Sequence, residues 1–215
     1  MMVRADFTET VSVAKATWRW QPSPQPGVER VMLDRIGDEV AVATSFVRYA
    51  EHSHFAAHNH DLGEEYIVLD GEFGDEHGRY PPMSYVRNPP GTSHTPFSDP
   101  GCLIFVKLRQ FVLGDNRQFV ERIDDEPVAA GWRTTELHSY GGELVQSISC
   151  ADGVEVELPA AEFIQELLVL NGRIECQGQV FDRHGWIRLA PKSEVIFKAL
   201  EPSLIFTKTR PMFTD

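Results

Sequence analysis

Three histidines and one glutamate have the residue types and the spacing of a metal-binding site. One residue separates His58 from His60, and Glu64 follows four positions after His60. Residues two apart in an extended strand project from the same face, so both imidazoles should point to one side. A tight turn at residues 61–63 would bring Glu64 back to that side. His94, at the end of the run Pro-Pro-Gly-Thr-Ser-His, is the fourth candidate ligand.

Imidazole nitrogens combined with one carboxylate suit a divalent first-row metal such as zinc, iron(II), manganese or nickel. A pair of the form HxH has little specificity by itself in a chain with eight histidines. The specificity comes from the order of the pieces. HxHxxxE is followed by Gly71, seven positions after Glu64, and by PxGxxH, which begins 18 positions after that glycine. We therefore predict one divalent metal ion at His58, His60, Glu64 and His94.

Short apolar stretches separated by turn residues must position these ligands. Gly, Pro, Asn or Asp interrupts most of the stretches, and many short strands with such turns are typical of an all-β sandwich or barrel. Residues 116–126 and 159–166 could each hold a short helix. The predicted strands are Val40–Val47, Glu65–Leu69, Leu103–Leu108, Leu144–Ile148, Glu166–Leu170, Val195–Phe197 and Ser203–Thr207.

The chain repeats itself at an offset of 101 residues. The sequence EYIVLDG of Glu65–Gly71 returns as ELLVLNG in Glu166–Gly172, and CLIF of Cys102–Phe105 returns as SLIF in Ser203–Phe206. One offset relates four blocks without a gap, which chance similarity of apolar strands would not produce. We predict two copies of one fold, with a metal-binding domain at residues 1–112 and a second domain at residues 113–215.

The second copy has lost the candidate ligands. At the same offset the four ligands fall on Pro159, Ala161, Gln165 and Val195. Pro, Ala and Val cannot coordinate a metal, and the Gln amide is a poor neutral donor. We expect one metal ion per chain and a degenerate second domain.

Composition and charge exclude several classes of partner. The net charge of −12 argues against binding to a nucleic acid backbone. The chain has no apolar run of the roughly 18 residues that a membrane span needs. Residues 1–20 show no secretory signal, and the three cysteines form no CxxC pair, so we expect a cytoplasmic protein with reduced thiols. A small-molecule ligand and a homo-oligomer are compatible with this composition.

The ordered motifs resemble those of the cupin superfamily, G(x)5HxH(x)3–4E(x)6G and PxGxxH. The leading glycine of the first motif is His52 in this copy, whereas its counterpart in the second copy is Gly153. The resemblance implies a duplicated double-stranded β-helix jelly roll, a bicupin, with few short helices. The residues that stand at the positions of the family are His58, His60, Glu64, Gly71, Pro89, Gly91 and His94.

A closer resemblance is to the ChrR-type cupin domain of bacterial anti-sigma factors. It rests on Pro26-Gly27-Val28, the strand Gly63–Leu69, the stretch Asp75–Tyr80 and the run Pro90–His94. In that domain the matching residues bind zinc, which implies zinc here and a regulatory, sensor or small-molecule-binding role. Residues 1–50 contain no His and no Cys, so we do not expect the zinc-binding helical module that grips a sigma factor, nor a sigma-factor partner by that route.

Other functions stay open. Acetylacetone dioxygenase-like cupins are similar in sequence and hold iron with three histidines, so an Fe(II)-dependent dioxygenase is the main alternative. Four protein ligands close a tetrahedral zinc site, whereas an octahedral iron would keep two positions for substrate and dioxygen. A cupin isomerase would need a general base beside the metal, either His54 or Tyr66. The four ligands could also serve only to clamp the fold.

Overall fold

The structure is a computed structural model that describes residues 1–38 and 40–211. These residues form β-strands, one 3-10 helix at Lys15–Thr17 and no α-helix, and none of their helices is long and apolar enough to cross a membrane. The strands of the first half are β1 (Met2–Val3), β2 (Val11–Val13), β3 (Gln21–Pro22), β4 (Val28–Gly37), β5 (Ala41–Tyr49), β6 (Ser53–His54), β7 (His58–His60), β8 (Glu64–Gly71), β9 (Phe73–Asp75), β10 (Gly78–Tyr80), β11 (Ser84–Asn88), β12 (Thr92–His94), β13 (Phe97–Ser98), β14 (Cys102–Leu108) and β15 (Phe119–Arg122). Those of the second half are β16 (Trp132–Tyr140), β17 (Glu143–Cys150), β18 (Glu155–Leu158), β19 (Ile164–Asn171), β20 (Arg173–Cys176), β21 (Gln179–Asp182), β22 (Trp186–Leu189), β23 (Val195–Ala199) and β24 (Ser203–Arg210).

The all-β prediction is confirmed, but both predicted helices are wrong. Within residues 116–126, Phe119–Arg122 forms β15 and pairs antiparallel with β11. Residues 159–163 are irregular and lead into β19. Pairing at the edge of a sheet supplies the backbone hydrogen bonds that a short isolated helix would otherwise have to provide, and it overrides a weak local helix propensity.

The chain divides into two compact units. Unit 1 comprises Met1–Ala5 and Arg19–Ile123, and unit 2 comprises Asp6–Trp18 and the described residues from Asp124 onward. The N-terminal segment Asp6–Trp18 belongs to unit 2 because its strand β2 pairs with β22. The sequence-based division placed this segment in the first domain and the boundary after residue 112.

Unit 1 is built from two main sheets and a small ribbon. The large sheet has the order β1-β4-β5-β14-β8-β11-β15, with β3 also paired to β4, and the smaller sheet has the order β10-β9-β13-β6. The ribbon consists of β7 and β12. Tyr66, Val86 and Val106 of the large sheet pack with Phe73 and Tyr80 of the smaller sheet in one buried core.

Unit 2 repeats this plan. Its large sheet has the order β16-β17-β24-β19-β22-β2, and its smaller sheet has the order β18-β23-β20-β21. Apolar side chains from both sheets fill its core. They include Leu167, Val169 and Ile205 from the large sheet and Phe181 and Phe197 from the smaller one.

The predicted duplication is confirmed by the strand register. Val68 lies opposite Ile104 in unit 1, and Val169 lies opposite Ile205 in unit 2, at the offset of 101 residues. The bulge next to Ile104 recurs next to Ile205. A register shared down to a bulge means that the two copies have the same strand pairing and not only the same strand count.

Candidate metal site

The ribbon of β7 and β12 carries the three candidate histidines of unit 1. The strands pair antiparallel, with His94 directly opposite His58 and Thr92 opposite His60. Gly91 lies in the turn before β12 with a φ of +88°, and its amide donates a hydrogen bond to the His60 carbonyl at 2.8 Å. A positive φ suits glycine, so the Pro-x-Gly turn fixes the register that places His94 beside the HxH pair.

The structure brings all four predicted residues together. Each pair of imidazole centroids is 4.7–5.1 Å apart, and one ring nitrogen from each histidine lies within 4.8 Å of the others. The Glu64 Oε2 atom is 3.6 Å from His60 Nε2 and 3.7 Å from His94 Nε2. Binding of a metal ion by these residues stays a prediction, but their donor atoms converge.

Two glycines hold the strand that carries Glu64. Gly63 precedes Glu64 with a φ of +84°, and a Cβ there would overlap the Phe111 ring. Gly71, at the other end of β8, has a φ of +70°, and a Cβ there would overlap the Gly101 carbonyl oxygen. Both positions require glycine because of conformation and of space.

Glu65 faces the opposite side from Glu64, as strand alternation predicts. Glu65 Oε2 accepts hydrogen bonds from the Tyr85 hydroxyl at 2.8 Å and from Arg87 Nη1 at 2.6 Å. Arg87 Nη2 also donates to Asp115 Oδ2 at 2.7 Å. The carboxylate of Glu65 is therefore committed to this buried charge cluster, and of the two adjacent glutamates only Glu64 faces the histidines.

The cluster is buried on three corners and open on the fourth. His60, Glu64 and His94 are 6%, 8% and 3% exposed, whereas His58 is an exposed residue. A small ligand from solvent would therefore approach on the His58 side.

Hydrogen bonds on the outer ring nitrogens orient two of the histidines. His58 Nδ1 lies 3.2 Å from the Ala56 carbonyl oxygen, and His94 Nδ1 lies 3.3 Å from Asp75 Oδ2. Both partners are acceptors, so each Nδ1 carries the proton and each Nε2 offers its lone pair. This is the arrangement that orients imidazoles around a metal ion.

Two buried polar atoms in the cluster make no hydrogen bond with any described residue. They are His60 Nε2 and Glu64 Oε2. A buried acceptor without a partner costs about 1–3 kcal/mol, so such atoms are rare unless something else satisfies them. A divalent cation would do so for both atoms, and the donor set of three imidazoles and one carboxylate fits such an ion.

The cluster also perturbs the protonation of its histidines. Burial lowers the pKa of His60 below its ordinary value, and Glu64 only partly opposes this. Burial would also lower the pKa of His94, but the hydrogen bond to Asp75 and the carboxylate of Glu64 outweigh it and raise that pKa. Of these two buried histidines, His94 therefore has the higher pKa when no metal ion is bound.

The other two candidates from the sequence do not suit the role of general base. His54 is exposed and stacks on Phe97 with ring centroids 5.9 Å apart. Tyr66 lies in the core, where burial and the nearby Glu64 raise the pKa of its hydroxyl well above the ordinary value. A phenol with a raised pKa is rarely deprotonated and so cannot readily accept a proton. His54 is not part of the histidine cluster.

Sequence reasoning missed Asp75 and Tyr80 as members of the site. Asp75 reaches His94 with one carboxylate oxygen and accepts a hydrogen bond from the Tyr80 hydroxyl at 2.9 Å with the other. The repeat contained the signal. At the offset of 101 residues these two positions become Cys176 and Phe181, so their polar groups are absent where the ligands are absent.

At the equivalent place, unit 2 has apolar packing. Val195, the counterpart of His94, is fully buried in the core together with Cys176 and Phe181. Gln165, the counterpart of Glu64, donates to the carbonyl of Pro159 at 2.9 Å. The four positions hold no metal-binding group.

Residues 8–112 match the family model of the ChrR cupin-like domain. No curated protein matches the chain in sequence. Among solved structures, the bacterial pirin YhhW from Escherichia coli, in complex with nickel(II), is 13% identical with a TM-score of 0.72, covering 95% of this chain and 100% of that one. Protein YlbA from Escherichia coli is 11% identical with a TM-score of 0.73, covering 98% and 94%. A salicylate 1,2-dioxygenase from Pseudaminobacter salicylatoxidans is 10% identical with a TM-score of 0.60, covering 78% and 70%.

Proposed function

We propose that this protein binds one divalent metal ion per chain and acts as a sensor or small-molecule-binding regulator, because residues 8–112 match the family model of the ChrR cupin-like domain and the chain has the duplicated cupin fold. In this proposal the ligands are His58, His60, Glu64 and His94, and the metal is zinc.

The observation that carries the proposal is the pair of buried acceptors without partners. His60 Nε2 and Glu64 Oε2 point into the space where the ring nitrogens of His58 and His94 also converge. A cluster that served only to clamp the fold would satisfy these atoms with each other at hydrogen-bond distance. They are instead 3.6 Å apart, which is longer than a normal hydrogen bond.

The residues divide the work around the ion. Three buried ligands hold it from the protein side, and the exposed His58 lies where a ligand from solvent can arrive. When bound, zinc would supply a Lewis-acidic cation, and a small molecule carrying oxygen, nitrogen or sulfur donors would reach it by displacing one of the four ligands, of which His58 is the exposed one. A role as sensor follows if such a molecule displaces a ligand and so changes the pairing of β7 with β12.

Elemental analysis of protein purified without an affinity nickel column tests the proposal. We expect one zinc per chain, lost in the His58→Ala/His60→Ala double variant. The matched control is His54→Ala, which removes an exposed histidine of the same unit outside the cluster. Two ions per chain, or metal retained by the double variant, would contradict the assignment.

A second candidate function, an Fe(II)-dependent dioxygenase, is favoured by the open side at His58 and by the shared fold with the salicylate dioxygenase. It predicts oxygen consumption by the Fe(II)-loaded protein in the presence of small diketones and related carbonyl acids. Turnover that is abolished in His94→Ala would support the oxygenase and defeat the sensor role. No uptake with any of these substrates, with iron bound, would defeat the oxygenase.

A further inference from the structure

The β9–β10 hairpin holds the His94 segment at three points. The Asp75 carboxylate reaches the His94 ring, the Glu76 carboxylate accepts a hydrogen bond from the Thr95 amide at 2.7 Å, and Gly74 pairs with Phe97. A Cβ at residue 74 would overlap the Phe97 ring, so the approach is close. The hairpin therefore fixes the backbone on the far side of His94 as well as the ring itself.

Asp75 is firmly placed for this contact. Its side chain is 4% exposed, and its Oδ1 accepts hydrogen bonds from the His77 amide at 2.8 Å, the Gly78 amide at 3.2 Å and the Tyr80 hydroxyl at 2.9 Å. Its Oδ2 is left for His94 Nδ1 at 3.3 Å. A carboxylate fixed by three donors on one oxygen presents the other oxygen in one direction only.

The three histidines are consequently not equivalent. The outer nitrogen of His94 meets a carboxylate, whereas that of His58 meets a neutral carbonyl. A carboxylate partner makes an imidazole a stronger donor to a metal than a carbonyl partner does.

The duplicated copy separates groups that serve the fold from groups that serve the site. The buried charges on the opposite face of the large sheet, Glu65 and Arg87, return as Glu166 and Arg188. Asp75, Tyr80 and His94 return as Cys176, Phe181 and Val195, which are three members of the apolar core of unit 2. The same strand pairing forms without the acid and the hydroxyl, so the fold does not need them.

We propose that Asp75, held by Tyr80, is a positioning residue that fixes the tautomer of His94 and strengthens it as a metal ligand. This inference rests on the proposed metal site and adds a partner that the four ligand positions do not include.

The test compares zinc affinity in Asp75→Asn with that of the wild type, measured by competition with a chromophoric chelator. Asparagine keeps the turn acceptor and removes the charge, so we expect the dissociation constant to rise about 10- to 100-fold. Asp99→Asn is the charge-matched control, because Asp99 is an acid of the same unit that pairs with Arg79 at 2.8 Å on the surface. The Asp99→Asn variant should bind zinc with the affinity of the wild type.

A purely structural role for Asp75 would not change the electronic environment of the metal. The visible spectrum of the Co(II)-substituted protein reports that environment, and we expect its bands to shift in Asp75→Asn but not in Asp99→Asn. Tyr80→Phe provides a milder variant, with a smaller loss of zinc affinity in the same direction, and it decides the matter if Asp75→Asn does not fold.

The outcomes separate this inference from the proposed function. If the wild-type protein binds no zinc or cobalt, the proposed function fails. If the wild type binds both but Asp75→Asn has unchanged affinity and spectrum, only the role of Asp75 is overturned. Equal losses in Asp75→Asn and Asp99→Asn would also overturn it, because they would reflect general charge and not the contact with His94.

Discussion

Deleting one hydroxyl from each of two buried tyrosines should have unequal effects on the stability of the metal-free protein. Tyr66 and Tyr80 lie in the same core, are 1% and 7% exposed, and have ring centroids 6.3 Å apart. The substitutions Tyr66→Phe and Tyr80→Phe remove the same atom from the same environment. They differ only in what the hydroxyl contacts.

The expected magnitudes follow from these contacts. The Tyr66 hydroxyl is buried and makes no hydrogen bond with any described residue, so its removal should be neutral or should stabilise the protein by about 1 kcal/mol. The Tyr80 hydroxyl donates to the Asp75 carboxylate at 2.9 Å. A hydrogen bond to a charged group contributes about 1.5–3 kcal/mol, so its loss should destabilise the protein by that amount. The two variants should therefore differ by at least about 1.5 kcal/mol.

Urea unfolding in the presence of a chelator measures this difference, with tryptophan fluorescence and circular dichroism as the two probes. An unchanged slope with a shifted midpoint identifies a change in stability rather than in the compactness of either state. Tyr140→Phe is the control for the substitution itself, since Tyr140 is an exposed residue of unit 2. A Tyr66→Phe variant destabilised as much as Tyr80→Phe would refute the reasoning, because it would mean that the Tyr66 hydroxyl has a partner of equal strength.

Three further predictions concern the metal and the turn that supports it. At a free concentration 100 times the dissociation constant, zinc should stabilise the wild type by about 2.7 kcal/mol and so raise its midpoint of thermal unfolding, but it should not stabilise His60→Ala. An equal shift in both proteins would disprove the assigned site. Zinc affinity should fall as the pH is lowered through the raised pKa of His94, because a ligating imidazole must be neutral, and the fall should begin above 6.5, the ordinary pKa of histidine. Calorimetric titrations at several pH values check this, and an affinity independent of pH would contradict it. Gly71→Ala should destabilise unit 1 by about 3 kcal/mol or more, since residue 71 has a positive φ and its new Cβ would overlap the Gly101 carbonyl oxygen. Denaturant unfolding measures this loss. The control is Gly131→Ala, because Gly131 also has a positive φ but no atom near its Cβ position, so the difference between the two variants reports the clash alone.

The strands and the repeat could be predicted because local sequence determines both. Alternation of apolar residues, interrupted by Gly, Pro, Asn and Asp, specifies strands, and a shared offset specifies a shared register. The predicted helix at residues 116–126 failed because β15 forms only through its pairing with β11, a contact some 30 positions away in the chain. Such a contact has no signature in a short window of sequence.

The site could be predicted in part. His58, His60, Glu64 and His94 were accessible from spacing because two strands and two turns place them, and the structure brings them together. Asp75 was not, because its contact with His94 depends on a hairpin folding over the ribbon from the other sheet. Backbone conformation also explains the position where this copy departs from the motif, the leading glycine that is His52 here. His52 stands where Gly153 stands in the second copy, and both adopt a positive φ, of +58° and +72°.

The two copies show which buried polar groups the fold requires and which the chemistry requires. Burying a charge is unfavourable unless it is paired, so a charge that is retained in a copy without the metal ligands has a role in the fold. Glu166 still accepts a hydrogen bond from the indole of Trp186 at 3.1 Å, as Glu65 does from the hydroxyl of Tyr85. On the inner side, apolar residues of the unit 2 core stand in place of Asp75, Tyr80 and His94, and the neutral Gln165 stands in place of Glu64. The unpartnered His60 Nε2 and Glu64 Oε2 atoms of unit 1 are therefore a cost in stability that the fold does not require, and a bound ion that both atoms hold is what would offset that cost.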